Sequence, residues 1–356
     1  MFDLKIKLCT CICHYRIDRQ SIGTGPCYQS KRIITVSDGG RLGNNMGQYA
    51  TLWYYSKVLK NVEAFISPQM QQNLQKVFPH ISLPAFKIAK SCQKQFRLMD
   101  GDHDEENIVK YFKRKDNDSM AFVNIRGYPN AVNLYHRFRD DLQCEFRFSE
   151  RASYNAEAFR DHVHSLYCQK SMHCDRLLLV GVHVRRTDYK YWMTRRAKQG
   201  LVDEKFFLSA MELMINKTGI LDRNERLIFI VASDDSKWCK EKFSRFKLNY
   251  TIMYTLDYYP QVRKNYLDAH NLSSCSKKDC NDAIGLEHVH FDLAVMSSMD
   301  DNIFDYGTYG FWGAYLSQSN ITIGADLRVT HEQSKFLVKE RVVDAAVEGF
   351  IFLQPP

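Results

Sequence analysis

The chain has 356 residues, and at roughly 100–200 residues per domain this length predicts two domains. Hydrophobic residues make up 45% and charged residues 25%, with 17 Gly and 8 Pro, which excludes a disordered chain, a collagen-like fibre and a low-complexity scaffold. Lys and Arg outnumber Asp and Glu by 49 to 41, a formal net charge of +8 that favours anionic ligands such as nucleotides. The sequence has no dense basic tract, zinc finger or RNA-recognition signature, so a nucleic-acid partner is not expected.

The first half of the chain carries mixed strand and helix signals. An apolar strand at residues 32–36 leads into a glycine-rich turn, and a helix is predicted at about residues 45–59. Residues 87–120 are polar and charged, so loops are expected there. Residues 140–170 have a helical pattern.

The second half alternates more regularly. Strands are predicted at 177–184, 227–232, 250–254, 302–304 and 321–323. Helices are predicted at 203–216 with Asp203 as N-cap, 236–246, 289–299 and 307–316, and residues 257–285 are expected to be irregular.

This alternation predicts the α/β class with parallel sheets joined by crossover helices. The expected organisation is an N-terminal tail at residues 1–30, an α/β lobe at 31–170 and a nucleotide-binding Rossmann-like lobe at 171–345.

The cysteines and glycosylation sequons favour a lumenal, oxidising compartment. There are 11 Cys, and the pairs Cys168 with Cys174 and Cys275 with Cys280 are each close enough in sequence to close a short disulfide loop. Five Asn-x-Ser/Thr sequons begin at Asn117, Asn216, Asn249, Asn271 and Asn320. The run Cys9, Cys11, Cys13 and His14 lacks the paired knuckles of a zinc site, and no metal is expected there.

The N-terminal sequence carries no targeting signal that we recognise. Charged residues interrupt it, so the apolar core of a signal peptide is missing, and no window approaches 18 apolar residues. A soluble chain is expected as given, with membrane association only through a segment upstream of it.

Charged residues follow the strand predicted at 177–184. Alternate residues of an extended segment share a face, so His183 and Arg185 point together and Arg186 points away. A guanidinium at this position suits a phosphate, and Asp188 suits either a reacting hydroxyl or an arginine. The alternative is a surface strand end with a local Arg–Asp pair.

Two further strand ends carry candidate ligand-binding residues. Ser233 and Asp234 precede a helix, where they bind a ligand or form a simple cap. Gly307 and Thr308 stand at the start of another helix. There the glycine either lets a diphosphate approach the backbone closely or only permits a turn.

The glycine-rich segment Gly39–Gly47 connects the first strand to the first helix. It matches neither the P-loop nor the dinucleotide-binding fingerprint, so its spacing alone does not assign a ligand.

Four segments in this order resemble the α1,2-fucosyltransferase family. They are GGRLGNNMGQYATLWYYSK, VGVHVRRTDY, FIVASDDSKWCKE and FDLAVMSSMDDNIFDYGTYGFWGAYLS. The His-x-Arg-Arg-x-Asp motif is shared with α1,6- and protein O-fucosyltransferases, whereas Gly-Arg-Leu-Gly-Asn and Gly-Thr-Tyr-Gly-Phe-Trp are typical of the α1,2 branch. Asn45 departs from the glutamine usual in the family, and the segment at 298–302 departs from its common Cys and His.

The resemblance implies a GT-B fold, in which two Rossmann-like lobes enclose a cleft and the C-terminal lobe binds GDP-fucose. Arg185 and Arg186 would lie near the diphosphate, with Arg185 at the β-phosphate, and His183 and Asp292 would form the guanosine site. Gly307 and Thr308 would contact the phosphates. The N-terminal, acceptor-side lobe would close over the sugar with Gly40, Arg41, Gly43 and Asn44.

The resemblance also implies an inverting displacement by the 2-hydroxyl of a terminal galactose, with Arg185 stabilising the departing GDP and no cofactor or metal required. Asp188 is the candidate base, with pairing to Arg186 as the alternative. Asp100 and Asp102 form an Asp-x-Asp pattern, but no metal is expected there. The location implied is the Golgi lumen. Two other interpretations are a fucosyltransferase with another acceptor, such as a core N-glycan or protein, and an inactive glycan- or nucleotide-binding relative.

Overall fold

The computed structural model describes residues 32–88, 93–100, 105–115, 119–168, 177–220, 226–246, 250–270, 277–317, 319–327 and 338–356, without the side chains of 105, 196–197 and 277–284. Its backbone forms two compact units, Met1–Ser149 and Glu150–Pro356. The sequence-based boundary at 170/171 lies near the far end of a helix, α6 (Glu150–Cys168), that packs on the second unit.

The first unit is a parallel sheet with strand order β2-β1-β4-β3. Its strands are β1 (Arg32–Val36), β2 (Glu63–Phe65), β3 (Arg97–Asp100) and β4 (Ala121–Arg126). Its helices are α1 (Leu42–Val58), α2 (Pro68–Gln75), α3 (Glu105–Arg114), α4 (Val132–Tyr135) and α5 (Arg139–Glu145). β1 is buried along its whole length because the sheet continues on both sides of it.

The second unit is a larger parallel sheet with strand order β10-β9-β8-β5-β6-β7. Its strands are β5 (Leu177–Val184), β6 (Arg226–Ser233), β7 (Thr251–Tyr254), β8 (Asp301–Phe304), β9 (Thr322–Ala325) and β10 (Phe350–Leu353). After α6 its helices are α7 (Tyr189–Trp192), extended by a π-helical turn (Met193–Ala197), α8 (Glu204–Thr218), α9 (Ser236–Phe243), α10 (Tyr259–Ala269), α11 (Lys277–Ser297), α12 (Thr308–Ser317) and α13 (Val338–Asp344).

Counted from β5 as its first strand, the second sheet has the Rossmann order 3-2-1-4-5-6. The α/β class and the two parallel-sheet, Rossmann-like units are therefore confirmed. The strand predicted at 177–184 is β5 with the same bounds, and Asp203 caps α8 by accepting a hydrogen bond from the Lys205 N–H at 3.1 Å. The cleft between two lobes stays a prediction.

Two segments expected to be irregular contain regular structure, so those predictions were wrong. Within 87–120 lie β3 and α3, because Ile108 and Phe112, four residues apart, bury one face of a helix that is rich in charged residues. Within 257–285 lie α10 and the first part of α11. Val262 is the one buried residue of α10, which explains why no apolar periodicity marks that helix.

Several sequence predictions fall outside the described residues: the 1–30 tail with its Cys9–His14 run, Asn117, Asn249, Asn271, Cys174, Cys275 and the side chain of Cys280. Cys168 is disulfide-bonded, whereas Cys144 and Cys239 form no disulfide. The sequon residues Asn216 and Asn320 are exposed. Within the described ranges, no helix is both long and apolar enough to cross a membrane.

Arg32 fastens α3 to the sheet of the first unit. Its side chain is buried, and the guanidinium donates to the carbonyls of Phe112 at 2.5 Å and Lys115 at 2.9 Å. A cation bonded to carbonyls at a helix C-terminus also interacts favourably with the helix dipole.

We expect Arg32→Ala to lower the free energy of unfolding by about 2 kcal/mol, because these carbonyls lose their donors without regaining water. Arg32→Lys keeps the charge but loses the paired N–H donors of the guanidinium. Its free energy of unfolding should lie between those of the native protein and Arg32→Ala. Urea unfolding followed by circular dichroism measures the difference. A loss below about 0.5 kcal/mol, the range of an ordinary surface substitution, would contradict this role.

Candidate functional site

The predicted residues of the second unit lie at the carboxyl ends of β5, β6 and β8. β5 and β8 are hydrogen-bonded neighbours at the centre of the sheet, where the strand order reverses. In open α/β sheets such a reversal leaves a crevice at the carboxyl ends in which ligands bind. The structure brings the predicted site residues to this edge, with His183 and Arg185 at β5, Ser233 and Asp234 at β6, and Gly307 at β8. Their contact with a ligand stays a prediction.

Asp305 joins the ends of β5 and β8, and sequence reasoning did not select it. Its side chain is 1% exposed, and its carboxylate accepts the backbone N–H groups of Arg185 and Tyr306, each at 2.7 Å. Burial raises the pKa of Asp305, while the hydrogen bond and charge of His183 and the two backbone donors oppose the rise. Asp305 thus fixes the backbone from which the Arg185 side chain projects.

His183 is packed tightly beside Asp305. It is buried, its Nδ1 lies 3.8 Å from Asp305 Oδ1, and its ring lies against Tyr309 with centroids 5.1 Å apart. A Cβ atom at Gly310 would stand 2.8 Å from His183 Nδ1, so glycine is required at that position of α12. The imidazole is held in place by packing before any ligand arrives.

Two carboxylates hold the Arg185 guanidinium. Nη2 donates to Asp188 Oδ1 at 2.6 Å, and Nη1 lies 3.3 Å from Asp234 Oδ2. The guanidinium also lies 5.7 Å from the centroid of the Tyr189 ring. The ion-pair partner of Asp188 is therefore Arg185, whereas the sequence-based alternative was Arg186.

Arg186 extends in another direction, as the strand alternation predicted. Its guanidinium lies 3.5 Å from the centroid of the Trp238 ring, and Nη1 donates to the Val202 carbonyl at 3.1 Å. These partners stabilise the segment between β5 and α8. The predicted contact of Arg186 with a diphosphate stays a prediction.

Of the two roles that the sequence left open at the β6 end, the structure shows the helix cap, and ligand binding by Ser233 and Asp234 stays a prediction. Asp235 caps α9 by accepting from the Trp238 N–H at 3.2 Å, and Ser233 Oγ accepts from the Asp235 N–H at 2.9 Å. Asp234 instead accepts the backbone N–H groups of Arg186 at 2.8 Å and Thr187 at 3.2 Å. The helix cap is Asp235, and Asp234 organises the loop that carries Arg185.

Asp292 is a buried carboxylate with one unused acceptor. The Tyr259 hydroxyl donates to its Oδ2 at 2.6 Å, whereas Oδ1 has no hydrogen-bond partner in the part of the chain that the structure describes. Burial raises the pKa of Asp292 to about 6, against the lowering effect of hydrogen bonds from Tyr259 and Thr255. A buried acceptor without a donor suits a ligand N–H group.

The turn after β8 brings the start of α12 to the same edge. Gly307 has φ +86°, and a Cβ there would meet the Tyr189 hydroxyl at 2.3 Å. The Tyr189 ring stacks on Tyr306 with centroids 5.0 Å apart, and this stacking holds Tyr189 against the turn. Thr308 is the first residue of α12, where helix N–H groups without intrahelical partners favour an anion.

The glycine-rich segment lies in the first unit, at the carboxyl end of β1. Gly39 and Gly40 have φ +151° and +79°, Arg41 is the N-cap of α1, and Gly43 and Asn44 belong to its first turn. Asn45, the departure from the family pattern, is buried and donates to the Gly39 carbonyl at 2.8 Å. Contact of this loop with a ligand stays a prediction.

No group of three or more His, Cys, Asp or Glu residues suited to a metal ion occurs among the residues that the structure describes. Asp100 ends β3, and Asp102 lies outside those residues.

The profile of glycosyl transferase family 11 matches residues 9–345. The chain belongs to this family. It is a glycosyltransferase of family 11, and the α1,2-fucosyltransferase resemblance in its motifs is confirmed by its relatives.

Two mammalian relatives illustrate the similarity. Bovine galactoside alpha-(1,2)-fucosyltransferase 2 is 26% identical over 295 residues, which cover 82% of this chain and 71% of the relative. Human galactoside alpha-(1,2)-fucosyltransferase 1 is 27% identical over 307 residues, covering 85% and 70%.

Solved fucosyltransferase structures also resemble this family 11 chain. NodZ from Bradyrhizobium has a TM-score of 0.46 at 12% identity, covering 85% of this chain and 97% of NodZ. A variant of Arabidopsis thaliana FUT1 in complex with GDP has a TM-score of 0.45 at 11% identity, covering 82% and 70%.

The raised pKa of Asp292 predicts a pH-dependent stability. A carboxyl with a pKa of about 6 in the folded protein binds its proton more tightly than in the unfolded chain. This group's contribution to the free energy of unfolding therefore falls as pH rises from about 4 to 6, by up to about 1.4 kcal/mol per pH unit.

Asp292→Asn cannot titrate, so the stability difference between variant and native protein should change across this window. Urea unfolding at several pH values, with both proteins side by side, measures it. Parallel stability curves from pH 4 to 7 would show that Asp292 titrates normally.

Proposed function

We propose that this family 11 enzyme transfers fucose from GDP-fucose to the 2-hydroxyl of a terminal galactose, with inversion at the fucose C1. Membership of the family, the four ordered motifs and the names of the relatives support this reaction. The observation that carries the proposal is the fixed guanidinium of Arg185 at the strand-order reversal.

Arg185 suits the β-phosphate of the donor because both its backbone and its side chain are positioned in advance. Asp305 holds the backbone N–H, and Asp188 and Asp234 hold the guanidinium. A preorganised charge stabilises a transition state without reorganising during the reaction. Asp188 acts here through Arg185, as a positioning residue.

The neighbouring groups suit the rest of the nucleotide. Gly307 and the first turn of α12, beginning at Thr308, offer backbone N–H groups and a hydroxyl to the phosphates. The unpaired Oδ1 of Asp292 suits the N1–H and amino group of guanine, and adenine, which presents no donor at N1, would be rejected. Protonation of Asp292 would remove one acceptor, so donor affinity should weaken as pH falls through about 6.

In the displacement, the galactose 2-hydroxyl attacks fucose C1 while the bond from C1 to the β-phosphate oxygen breaks, and the hydroxyl proton is released to solvent as the new bond forms. Positive charge develops on the fucose ring, and negative charge develops on the departing GDP. The Arg185 guanidinium neutralises that negative charge at the atoms where it appears, which is the task a bound cation performs in metal-dependent transferases.

Arg185→Ala should lower kcat by 10²–10³-fold, the usual effect of removing one preorganised group that stabilises a developing anion. Arg185→Lys keeps the charge but not the fork of donors and should recover only part of the rate. The matched control is Arg245→Ala, which removes an exposed arginine paired with Glu241 on the second unit. If Arg185→Ala and Arg245→Ala both transfer fucose at the native rate, Arg185 does not bind the leaving group.

The reaction itself is tested by GDP release from GDP-fucose in the presence of a β-galactoside, with and without a chelator. Release should require the galactoside, and EDTA should leave the rate unchanged because Arg185 supplies the positive charge. A galactoside methylated at O2 is the matched control and should give no product. GDP-fucose binding without transfer to any galactoside would overturn the proposed acceptor, and loss of turnover in EDTA would overturn the role of Arg185 as sole cation.

A further inference from the structure

Tyr128 presents an exposed aromatic ring at the carboxyl edge of the first sheet. It follows β4, and its side chain is 53% exposed. Gly39 and Gly40, which follow the neighbouring strand β1, lie against the Cε1 edge of the ring. Cβ atoms at these positions would stand 3.2 Å and 3.0 Å from Tyr128 Cε1, so a side chain at either would press on the ring.

The two glycines therefore approach the ring along one edge, and Tyr128 as a residue is 53% exposed. Both glycines have positive φ angles, +151° and +79°, which few other residues adopt readily. An exposed aromatic ring beside glycine-built backbone offers an open face on which an apolar ligand surface can stack.

Buried amides lock the two loops that form this surface. Gln48, fully buried on α1, donates from Nε2 to the Ser37 carbonyl at 2.6 Å and to the Gly127 carbonyl at 3.0 Å. Asn45 donates to the Gly39 carbonyl at 2.8 Å, and the Ser37 N–H donates to the Ile125 carbonyl at 2.8 Å. The loops after β1 and β4 are thereby held together beside the ring, which lowers the entropy lost when a ligand binds.

The same loops carry polar groups suited to hydroxyls. Asp38 and Arg41 are exposed on the loop after β1, and Arg126, the last residue of β4, is exposed as well. Asp38 accepts a hydrogen bond from Ser67 Oγ at Oδ1, which orients its carboxylate on the loop. An exposed aromatic ring on a sheet edge that also carries carboxylate and guanidinium groups matches a sugar, which combines a C–H face with a rim of hydroxyls.

We propose that Tyr128 is the platform on which the terminal galactose of the acceptor stacks, which rests on the function proposed above. The axial 4-hydroxyl of galactose leaves the C–H bonds at C3, C4 and C5 on one face of the ring, and that face fits an aromatic side chain. The equatorial 2-hydroxyl lies at the edge of the sugar. Stacking through C3 to C5 therefore leaves it free for transfer.

The donor is assigned elsewhere because its chemistry differs. GDP-fucose needs positive charge and N–H donors for two phosphates and an acceptor for guanine, and these are gathered in the second unit around Arg185 and Asp292. Tyr128 lies in the first unit and supplies a neutral aromatic ring.

The test compares substitutions that keep the ring with one that removes it. Tyr128→Phe keeps the stacking face and should leave the KM for a β-galactoside within about twofold of the native value. Tyr128→Ala should raise that KM about tenfold, in the range of one lost aromatic contact. The KM for GDP-fucose and the slow hydrolysis of GDP-fucose in the absence of acceptor should not change in either variant.

Tyr154→Ala is the matched control, since Tyr154 is a comparably exposed tyrosine, 61%, on α6 of the second unit. Saturation-transfer NMR with methyl β-galactoside reports acceptor binding independently of turnover, and it should show the signal in the native protein and Tyr154→Ala but not in Tyr128→Ala. An unchanged acceptor KM in Tyr128→Ala, or an equal rise in the KM for GDP-fucose, would overturn the platform.

The platform and the proposed function fail in distinguishable ways. Transfer to galactosides that is insensitive to Tyr128 removes the platform and leaves the function. Galactoside binding that depends on Tyr128 without any fucose transfer removes the function and leaves the platform. A native protein that gives no galactoside signal in NMR and no transfer removes both.

Discussion

The Asp305 carboxylate accepts the backbone N–H of Arg185 across the junction between β8 and β5, and the geometry of the candidate site depends on this bond. Strand pairing brings the two segments together, but it leaves the direction of the first residue beyond β5 undetermined. A buried carboxylate removes that freedom, and hydrogen bonds to ionised acceptors stabilise by about 1.5–3 kcal/mol, more than bonds between neutral groups. The same carboxylate lies next to His183 and accepts the Tyr306 N–H. One side chain therefore positions three residues of the candidate site.

The two units hold the loops at their strand ends together with different kinds of side chain. In the second, charged groups tie strand ends together, with Asp234 accepting from the loop after β5 and Asp305 joining β5 to β8. In the first, the neutral amide of Gln48 bridges the loops after β1 and β4. All the hydrogen-bonding groups of a buried amide can be paired without burying a charge. An amide therefore suits an edge of the sheet that consists of glycines and an aromatic ring. The difference parallels the two ligands proposed, an anionic nucleotide for one unit and a neutral sugar for the other.

Local sequence pattern predicted the features of this chain that depend on neighbours in sequence. The apolar run of β5 gave its bounds, and strand alternation separated His183 and Arg185 from Arg186. Features set by distant pairing were not predicted: Asp305 gains its role because β8 lies beside β5. A local pair between Asp188 and an arginine was predicted as an alternative, but the partner is Arg185 rather than Arg186. α3 was missed because its apolar residues stand among charged ones, with Ile108 and Phe112 as the buried ones. Tyr128 was missed because nothing in its own loop indicates the two glycines beside it.

The carboxylates of Asp188 and Asp234 serve the Arg185 guanidinium as built-in counter-ions. An incoming anion meets a guanidinium whose charge is already partly balanced, so the gain from charge alone is small and a free inorganic ion competes poorly. Only a molecule that also engages the helix terminus and a distant acceptor gains enough additional interactions to bind. The affinity of a ligand for Arg185 therefore depends on the length of that ligand. Small anions, which reach only the guanidinium, bind weakly.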